Sequence, residues 1–262
     1  MIVRSCWFLM GGFLLMASPL LVTAAPTDVY ESRKVVTTED GGRAEFSYRL
    51  LRPAAVDPTT RYPVILFLHG AGERGSDNAK QLKYLPAWMG EPDLRHRYPC
   101  FVVVPQCREE HKWVDVDWSQ AESSRQTTQP TVDLAAAVAA LDTVMQDEPV
   151  DPDRVFLTGL SMGGYGTWDL AARMPDRFAA ILPICGGGDI ATATRIARLP
   201  IWCFHGDADD AVPVERSRQM IAAVKAAGGK PRYSELPGVG HDSWTPAYRD
   251  PAVLEWLFDQ SR

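Results

Sequence analysis

The residues best suited to chemistry surround Ser161, in the segment Gly159-Leu160-Ser161-Met162-Gly163. An apolar, strand-forming run at residues 155–157 precedes this segment, and a helix-forming run follows it. In that context the Gly-x-Ser-x-Gly pattern predicts a nucleophile elbow, a sharp turn that exposes the serine hydroxyl. Glycines also surround serines in plain turns, so this interpretation depends on partner residues elsewhere in the chain.

A serine nucleophile needs a base to remove its proton and an acid to orient that base. His241 is the candidate base, because it lies on a glycine-rich loop after the short strand-like segment 233–236. The acid should follow the preceding strand, where Asp207, Asp209 and Asp210 compete. We choose Asp209, which lies in the middle of its loop, and keep Asp210 second and Asp207 third. The neighbouring His205 adjoins the strand end, and we expect it to support the loop.

Acyl transfer also needs N–H donors for the oxyanion that develops on the substrate. The backbone N–H of Met162, directly after the serine, supplies one donor. The second should come from His69-Gly70-Ala71-Gly72, which follows the apolar run 64–68. Ala71 or Gly70 is the expected donor, and a plain glycine turn is the alternative.

The elements that must hold these residues can be recognised from apolar patterning. Asp40-Gly41-Gly42 predicts a hairpin turn within residues 33–52. Continuous apolar runs, typical of buried parallel strands, occupy residues 64–68, 101–104, 155–157, 180–184 and 201–204. Helical patterns occupy residues 131–145 and 162–174, a segment from Pro213 to Gly228, and the segment after Asp250-Pro251. This alternation predicts a three-layer α/β fold, with a mostly parallel central sheet and helices on both faces.

Two long polar connections, residues 73–98 and 107–129, leave the carboxyl ends of predicted strands, where open α/β sheets place their sites. Trp113, Trp118, Trp244 and Tyr165 are therefore candidate substrate contacts, although the tryptophans could instead pin the loops to the body. Only residues 185–200 separate two of the strands. That length predicts an open site without a large lid.

The N-terminal segment predicts export. Residues 1–24 combine one positive charge, an apolar run and small residues at the end, as in a secretory signal peptide. A transmembrane anchor is the alternative, but the run is short for a bilayer. We expect cleavage after Ala24, a single catalytic domain over residues 25–262, and a secreted or periplasmic protein.

Composition narrows the remaining possibilities. The formal net charge is −6 and no block of Lys or Arg occurs, which argues against nucleic acid as a partner. No His or Cys spacing is typical of a metal site, so we predict neither a metal nor a cofactor. Disulfides and buried free thiols both remain open for the cysteines at positions 100, 107, 185 and 203.

The chain order Ser161, Asp209, His241, together with the motifs at residues 69–75 and 240–244, resembles the α/β-hydrolase superfamily. Within it the chain is similar to secreted esterases of the feruloyl-esterase and polyhydroxybutyrate-depolymerase kind, and to peptidases related to prolyl oligopeptidase. The family pattern His-Gly-x-x-Asp-x-x-Val-Pro falls on residues 205–213 and separately supports Asp209.

The resemblance implies a serine hydrolase that works through an acyl-enzyme. We expect an accessible acyl or aromatic ester as substrate, either a small molecule or a group linked to a polymer such as a polysaccharide. After signal cleavage, no membrane insertion is expected. A prolyl-oligopeptidase-type peptidase is the second hypothesis. A non-catalytic binding protein on the same fold is a remote third, since every triad member is present.

Overall fold

The computed structural model describes residue 25, residues 27–39 and residues 41–262. The predicted signal peptide lies outside the described residues, and the domain boundary at residue 25 stays a prediction. Within these described residues, eight strands form one sheet. They are β1 (Tyr30–Glu39), β2 (Gly42–Leu51), β3 (Tyr62–Leu68), β4 (Phe101–Pro105), β5 (Val150–Leu160), β6 (Ala180–Ile184), β7 (Trp202–Gly206) and β8 (Arg232–Leu236).

The sheet has the order β1-β2-β4-β3-β5-β6-β7-β8. The first two strands form the predicted antiparallel hairpin, in which Glu39 pairs with Gly42, and β2 pairs antiparallel with β4. All pairings from β4 to β8 are parallel. The predicted mostly parallel sheet is therefore confirmed, and the carboxyl ends of its central strands meet at one edge.

Seven α-helices accompany the sheet in the described residues: α1 (Leu85–Met89), α2 (Pro92–Arg97), α3 (Val132–Asp147), α4 (Met162–Arg173), α5 (Glu215–Ala226), α6 (Trp244–Arg249) and α7 (Pro251–Phe258). Side-chain caps begin two of them, because Thr131 accepts from the backbone N–H of Leu134 and Asp250 accepts from that of Ala252. The first two helices are a correction, since the sequence indicated only an irregular connection over residues 73–98. Helices of five and six residues are too short to show a reliable apolar period.

Alternate residues of the central strands feed two separate cores. In β3, Val64, Leu66 and Leu68 pack into the core beneath α3, α4 and α5. Ile65 and Phe67 pack into the opposite core, beneath α1, α6 and α7. Both faces of the strand are thus buried, which explains its continuous apolar run and confirms the three-layer arrangement.

Three further features of the fold concern the membrane, access to the site and the cysteines. None of the helices in the described part of the chain has the length and apolar character needed to cross a membrane. The segment between β6 and β7 holds a single 3₁₀ turn, Ile190–Arg195, and no large lid is inserted there. The four described cysteines are all buried and free, so of the two alternatives that the sequence left open the structure shows buried free thiols.

Candidate active site

The turn at Ser161 is a sharp reversal between β5 and α4. Ser161 has φ 55° and ψ −120°, a conformation that side-chain-bearing residues rarely adopt. A Cβ at Gly163 would lie 1.9 Å from the carbonyl oxygen of Leu68, and one at Gly159 would lie 2.4 Å from that of Gly163. Both flanking positions therefore require glycine, as the elbow pattern predicts.

The structure brings Ser161, His241 and Asp209 into one hydrogen-bonded chain. The Ser161 hydroxyl lies 2.9 Å from Nε2 of His241, and Nδ1 of the same ring lies 2.8 Å from Oδ2 of Asp209. About a quarter of the His241 side chain is exposed, whereas the Asp209 carboxylate is fully enclosed. The ring of Trp244 packs edge-on against His241, with 5.2 Å between the centroids. This geometry allows the imidazole to take the hydroxyl proton while its position stays fixed.

Asp209 is held by more than its contact with His241. Its Oδ1 accepts from the backbone N–H groups of Ala211 and Val212, each at 2.9 Å. Its Oδ2 also lies 3.2 Å from Nε2 of the buried His205. Burial alone would raise the pKa of Asp209, but the hydrogen bonds from His205, His241 and Val212 outweigh it and hold that pKa well below its usual range. The carboxylate stays ionised and can orient the imidazole.

The other aspartates of this loop play different parts. Asp207 accepts a hydrogen bond from the backbone N–H of Gly238, at 2.6 Å, and thereby ties the acid loop to the His241 loop. Asp210 is exposed. His205 binds the Ser217 hydroxyl at 2.7 Å and faces the carbonyl oxygen of Val212 at 3.0 Å. It therefore supports the loop, as expected, and also contacts the acid itself, which sequence reasoning missed.

The two predicted oxyanion donors, Met162 and Ala71, each lie at the start of a helical segment. Met162 is the first residue of α4, and Ala71 is the first residue of a 3₁₀ turn that ends at Glu73. The first N–H groups of a helix have no partner within it, so they are free to bind a developing anion. A Cβ at Gly70 would lie 2.8 Å from the side chain of Leu160, so this loop lies directly against the elbow.

His69 determines which way the loop's peptide group points. Its Nε2 accepts from the backbone N–H of Cys107 at 2.9 Å, so Nδ1 carries the proton and donates to the Gly70 carbonyl at 2.7 Å. In a trans peptide the N–H points opposite to the C=O. The N–H of Ala71 is therefore directed away from His69, which favours Ala71 over Gly70 as the donor.

Burial keeps His69 in this neutral form. Desolvation lowers the pKa of His69 from 6.5 to about 4. Trp113 adds a second restraint, because its indole N–H donates to the carbonyl oxygen of His69 at 2.9 Å. A buried imidazole and a buried indole thus hold the loop that carries Ala71.

The four predicted substrate contacts have unlike surroundings. Trp113 is fully buried and its indole N–H donates to the His69 carbonyl, which favours the alternative that this tryptophan pins its loop to the body. Tyr165 is also buried, and only an edge of Trp244 reaches the surface. Trp118 is partly exposed, and Nζ of Lys112 lies 4.8 Å from the centroid of the Trp118 ring. Of the four, Trp118 is thus the side chain most open to a ligand.

One group of possible metal ligands occurs in the described residues. The ligand atoms of Cys185, Asp209 and His241 lie within 4.8 Å of one another. Burial raises the pKa of the Cys185 thiol and keeps it protonated, and the oxygens of Asp209 are occupied by hydrogen bonds. These residues do not fit a metal centre, and we assign none.

A family model described as phospholipase/carboxylesterase matches residues 57–250. The chain belongs to this family, whose fold is that of the α/β-hydrolases. It spans less than half the length of the curated relatives it matches.

Individual comparisons agree with this assignment. A thermostable esterase of known structure is 36% identical, with a TM-score of 0.80 over 90% of this chain and 64% of that one. An uncharacterized secreted protein of Arthroderma benhamiae is 25% identical over 241 residues, which cover 74% of this chain and 23% of the relative. An acylaminoacyl peptidase of Pyrococcus horikoshii is 14% identical, with a TM-score of 0.64 over 87% of this chain and 41% of the other. That last likeness concerns the fold alone.

Proposed function

We propose that the chain is a serine carboxylesterase in which Ser161 is the nucleophile, His241 the general base and Asp209 the orienting acid. The observation that carries the proposal is the unbroken chain of hydrogen bonds from the serine hydroxyl through the imidazole to a buried carboxylate. The strained elbow of Ser161 adds to it, because such strain is typical of functional sites.

The reaction follows from this geometry. The Ser161 oxygen attacks the ester carbonyl while Nε2 of His241 takes its proton. The N–H groups of Met162 and Ala71 stabilise the negative charge that forms on the carbonyl oxygen. The imidazolium then gives its proton to the departing alcohol, which leaves an acyl-enzyme. Water, deprotonated by the same imidazole, attacks the acyl-enzyme and releases the acid.

An accessible ester is the substrate class that the surroundings favour. The short β6–β7 connection carries no large lid, and part of His241 is exposed. The likeness to a thermostable esterase, at 36% identity, is also much stronger than the likeness to the acylaminoacyl peptidase. We propose acyl or aromatic esters, free or attached to a polymer, as substrates.

We further propose export, on the basis of residues 1–24 and the likeness to a secreted protein of Arthroderma benhamiae. Expression of the full chain in a bacterium with a secretory pathway should yield a processed protein that begins at Ala25. N-terminal sequencing of the exported fraction tests this expectation. An unprocessed protein retained in the cytosol would contradict it.

The central experiment compares Ser161→Ala with the wild type on nitrophenyl acetate and butyrate. Loss of the nucleophile should lower kcat by at least about 10⁴-fold, with unchanged circular dichroism. Ser119→Ala, at an exposed position, serves as the matched control and should keep full activity. A panel of feruloyl esters and prolyl nitroanilides then ranks the substrate classes. Faster cleavage of the anilides would overturn the ester assignment.

A further inference from the structure

Arg216, in the first turn of α5, is a buried cation without an anionic partner among the described residues. The residue is 1% exposed. Among the described residues, no group accepts a hydrogen bond from its Nε, Nη1 or Nη2. Burial of a guanidinium without an anion is costly, and the positive end of a helix dipole adds repulsion at this position. A residue retained under these conditions calls for a negative partner from outside the chain.

Arg216 contacts the helix that begins directly after the nucleophile. Its guanidinium carbon is 5.2 Å from the ring centroid of Tyr165. Tyr165 is one helical turn beyond Ser161, and its backbone N–H donates to the Ser161 carbonyl at 3.1 Å. Since helical side chains lean toward the helix N-terminus, the Tyr165 ring leans toward the Ser161 end of α4, and the guanidinium of Arg216 contacts this ring.

The guanidinium lines a small cavity beside this ring. A Cβ at Gly187 would lie 2.6 Å from Nε of Arg216 and 3.3 Å from the ring of Tyr165. The loop after β6 therefore leaves room for the guanidinium only because position 187 is glycine. The cavity, also lined by Val114 and Val116, has a volume of about 10 Å³. About 10–15 Å³ holds one water-sized group. The size suits one oxygen of a planar carboxylate better than a tetrahedral phosphate.

Two acidic residues share the cavity, but other partners already engage both. Asp169 accepts from the guanidinium of Arg173 at 2.5 Å and from the side-chain amide of Gln126 at 3.0 Å. Asp189 accepts from the backbone N–H groups of Gln126 and Ala191, each at 2.9 Å. Neither forms an ion pair with Arg216. The cavity therefore contains carboxylates that are already paired and a guanidinium that is not.

Residues 113–126, which we call the strap, cover the cavity. The strap is anchored at its far end, where Ser123 donates to the Gly188 carbonyl at 3.0 Å and Gln126 binds Asp169 and Asp189. Residues 114–121 have fewer bonds to the body: the Trp118 carbonyl accepts from the Tyr165 hydroxyl at 3.3 Å, and the Ala121 carbonyl accepts from the side-chain amide of Gln219, on α5, at 3.1 Å. A path between Arg216 and the partly exposed Trp118 would therefore open by displacement of residues 114–121.

We propose that Arg216, flanked by Tyr165, binds a free carboxylate of the substrate, so that the preferred esters carry a second, ionised carboxyl group. Half-esters of dicarboxylic acids are the simplest members of this class. The inference rests on the proposed esterase function, since it names the substrate that the same serine cleaves.

The test compares esters of matched shape and different charge. Methyl hydrogen terephthalate is paired with methyl 4-methylbenzoate, and methyl hydrogen adipate with methyl hexanoate. Wild-type kcat/KM should favour the charged member of at least one pair by about tenfold or more, as expected for a charge-assisted hydrogen bond. Arg216→Met should abolish that preference and leave kcat/KM for the neutral ester within about threefold.

Arg218→Met is the matched control, because Arg218 lies on the same helix but is about half exposed and pairs with Glu235. It should keep the wild-type preference. Equal rates for charged and neutral esters in the wild type would overturn the proposal. So would an equal loss on both esters in Arg216→Met, which would indicate a structural role.

Two further measurements keep the proposal testable. If Arg216→Met does not fold, calorimetric binding of methyl hydrogen terephthalate and of methyl 4-methylbenzoate to Ser161→Ala decides, since binding does not require turnover. Tighter binding of the charged half-ester supports the proposal, and equal binding overturns it. Failure of the esterase proposal is recognised separately, by undiminished hydrolysis in Ser161→Ala.

Discussion

Acidification should destabilise the fold through His69, the imidazole that holds the candidate oxyanion loop. The residue is 1% exposed and hydrogen-bonds as a neutral ring, accepting from Cys107 and donating to Gly70. Burial lowers its pKa from 6.5 to about 4. Between pH 6.5 and pH 4, His69 is protonated in the unfolded chain but stays neutral in the folded chain, so the free energy of unfolding falls as pH falls.

The magnitude follows from the size of this pKa difference. Full stabilisation by the neutral imidazole is present above pH 6.5, and at pH 4 the loss amounts to about 3 kcal/mol. That is a substantial part of the stability of a typical domain, which is about 5–15 kcal/mol. His69→Gln removes the titrating group and keeps a polar side chain, so the free energy of unfolding of this variant should lack the part of the decrease in acid that His69 causes.

Urea unfolding followed by tryptophan fluorescence, at intervals from pH 7 to pH 4, measures the effect. The wild type should lose about 3 kcal/mol more than His69→Gln over this range. Subtraction of the two curves removes the contribution of the carboxylates common to both proteins. Parallel curves would refute the reasoning, since they would mean that His69 takes up a proton equally well in the folded and unfolded chains.

Further predictions concern the elbow, the acid and the support of the oxyanion loop. Asp209→Asn should lower kcat on nitrophenyl butyrate by about 10³–10⁴-fold, whereas Asp210→Asn should change it only a few-fold; equal losses would leave the acid unassigned. Gly163→Ala should prevent folding or lower Tm sharply, because the added Cβ would lie 1.9 Å from a backbone oxygen. Gly72→Ala is the control: a Cβ at Gly72 meets open space, so this variant should unfold like the wild type in a thermal scan. Trp113→Phe should lower the free energy of unfolding by about 1–2 kcal/mol, because the hydrogen bond to the His69 carbonyl is lost. The same variant should lower kcat more than it raises KM. An unchanged kcat would show that the indole does not position the oxyanion loop.

Apolar patterning predicted the strands well because both faces of each central strand are buried. β3 is the clearest case, since its alternate residues serve two cores and no polar position interrupts the run. The short helices α1 and α2 were missed, because each has about one and a half turns. So few residues do not show the repeat of apolar positions by which a helix is recognised. Their formation depends on packing beneath the sheet, and neighbouring positions along the chain do not reveal that packing.

The candidate site could be predicted where chain order and turn chemistry carry the information. The positions of Ser161 and His241 follow from glycine-rich loops at the ends of β5 and β8. The surroundings of Trp113 and Arg216 could not be foreseen, because residues more than forty positions away determine them. A tryptophan on a polar loop and an arginine on a helix resemble surface residues until the partners His69 and Tyr165 are known.

The most direct test of the central claim is covalent labelling by a fluorophosphonate, followed by peptide mass spectrometry. Such a reagent phosphonylates a serine that an adjacent base has activated, and leaves ordinary serines untouched. We predict a single adduct on the peptide that contains Ser161, with loss of ester hydrolysis in proportion to labelling and no adduct in Ser161→Ala. An adduct on another serine, or full labelling of Ser161→Ala, would contradict the assignment of Ser161 as the nucleophile.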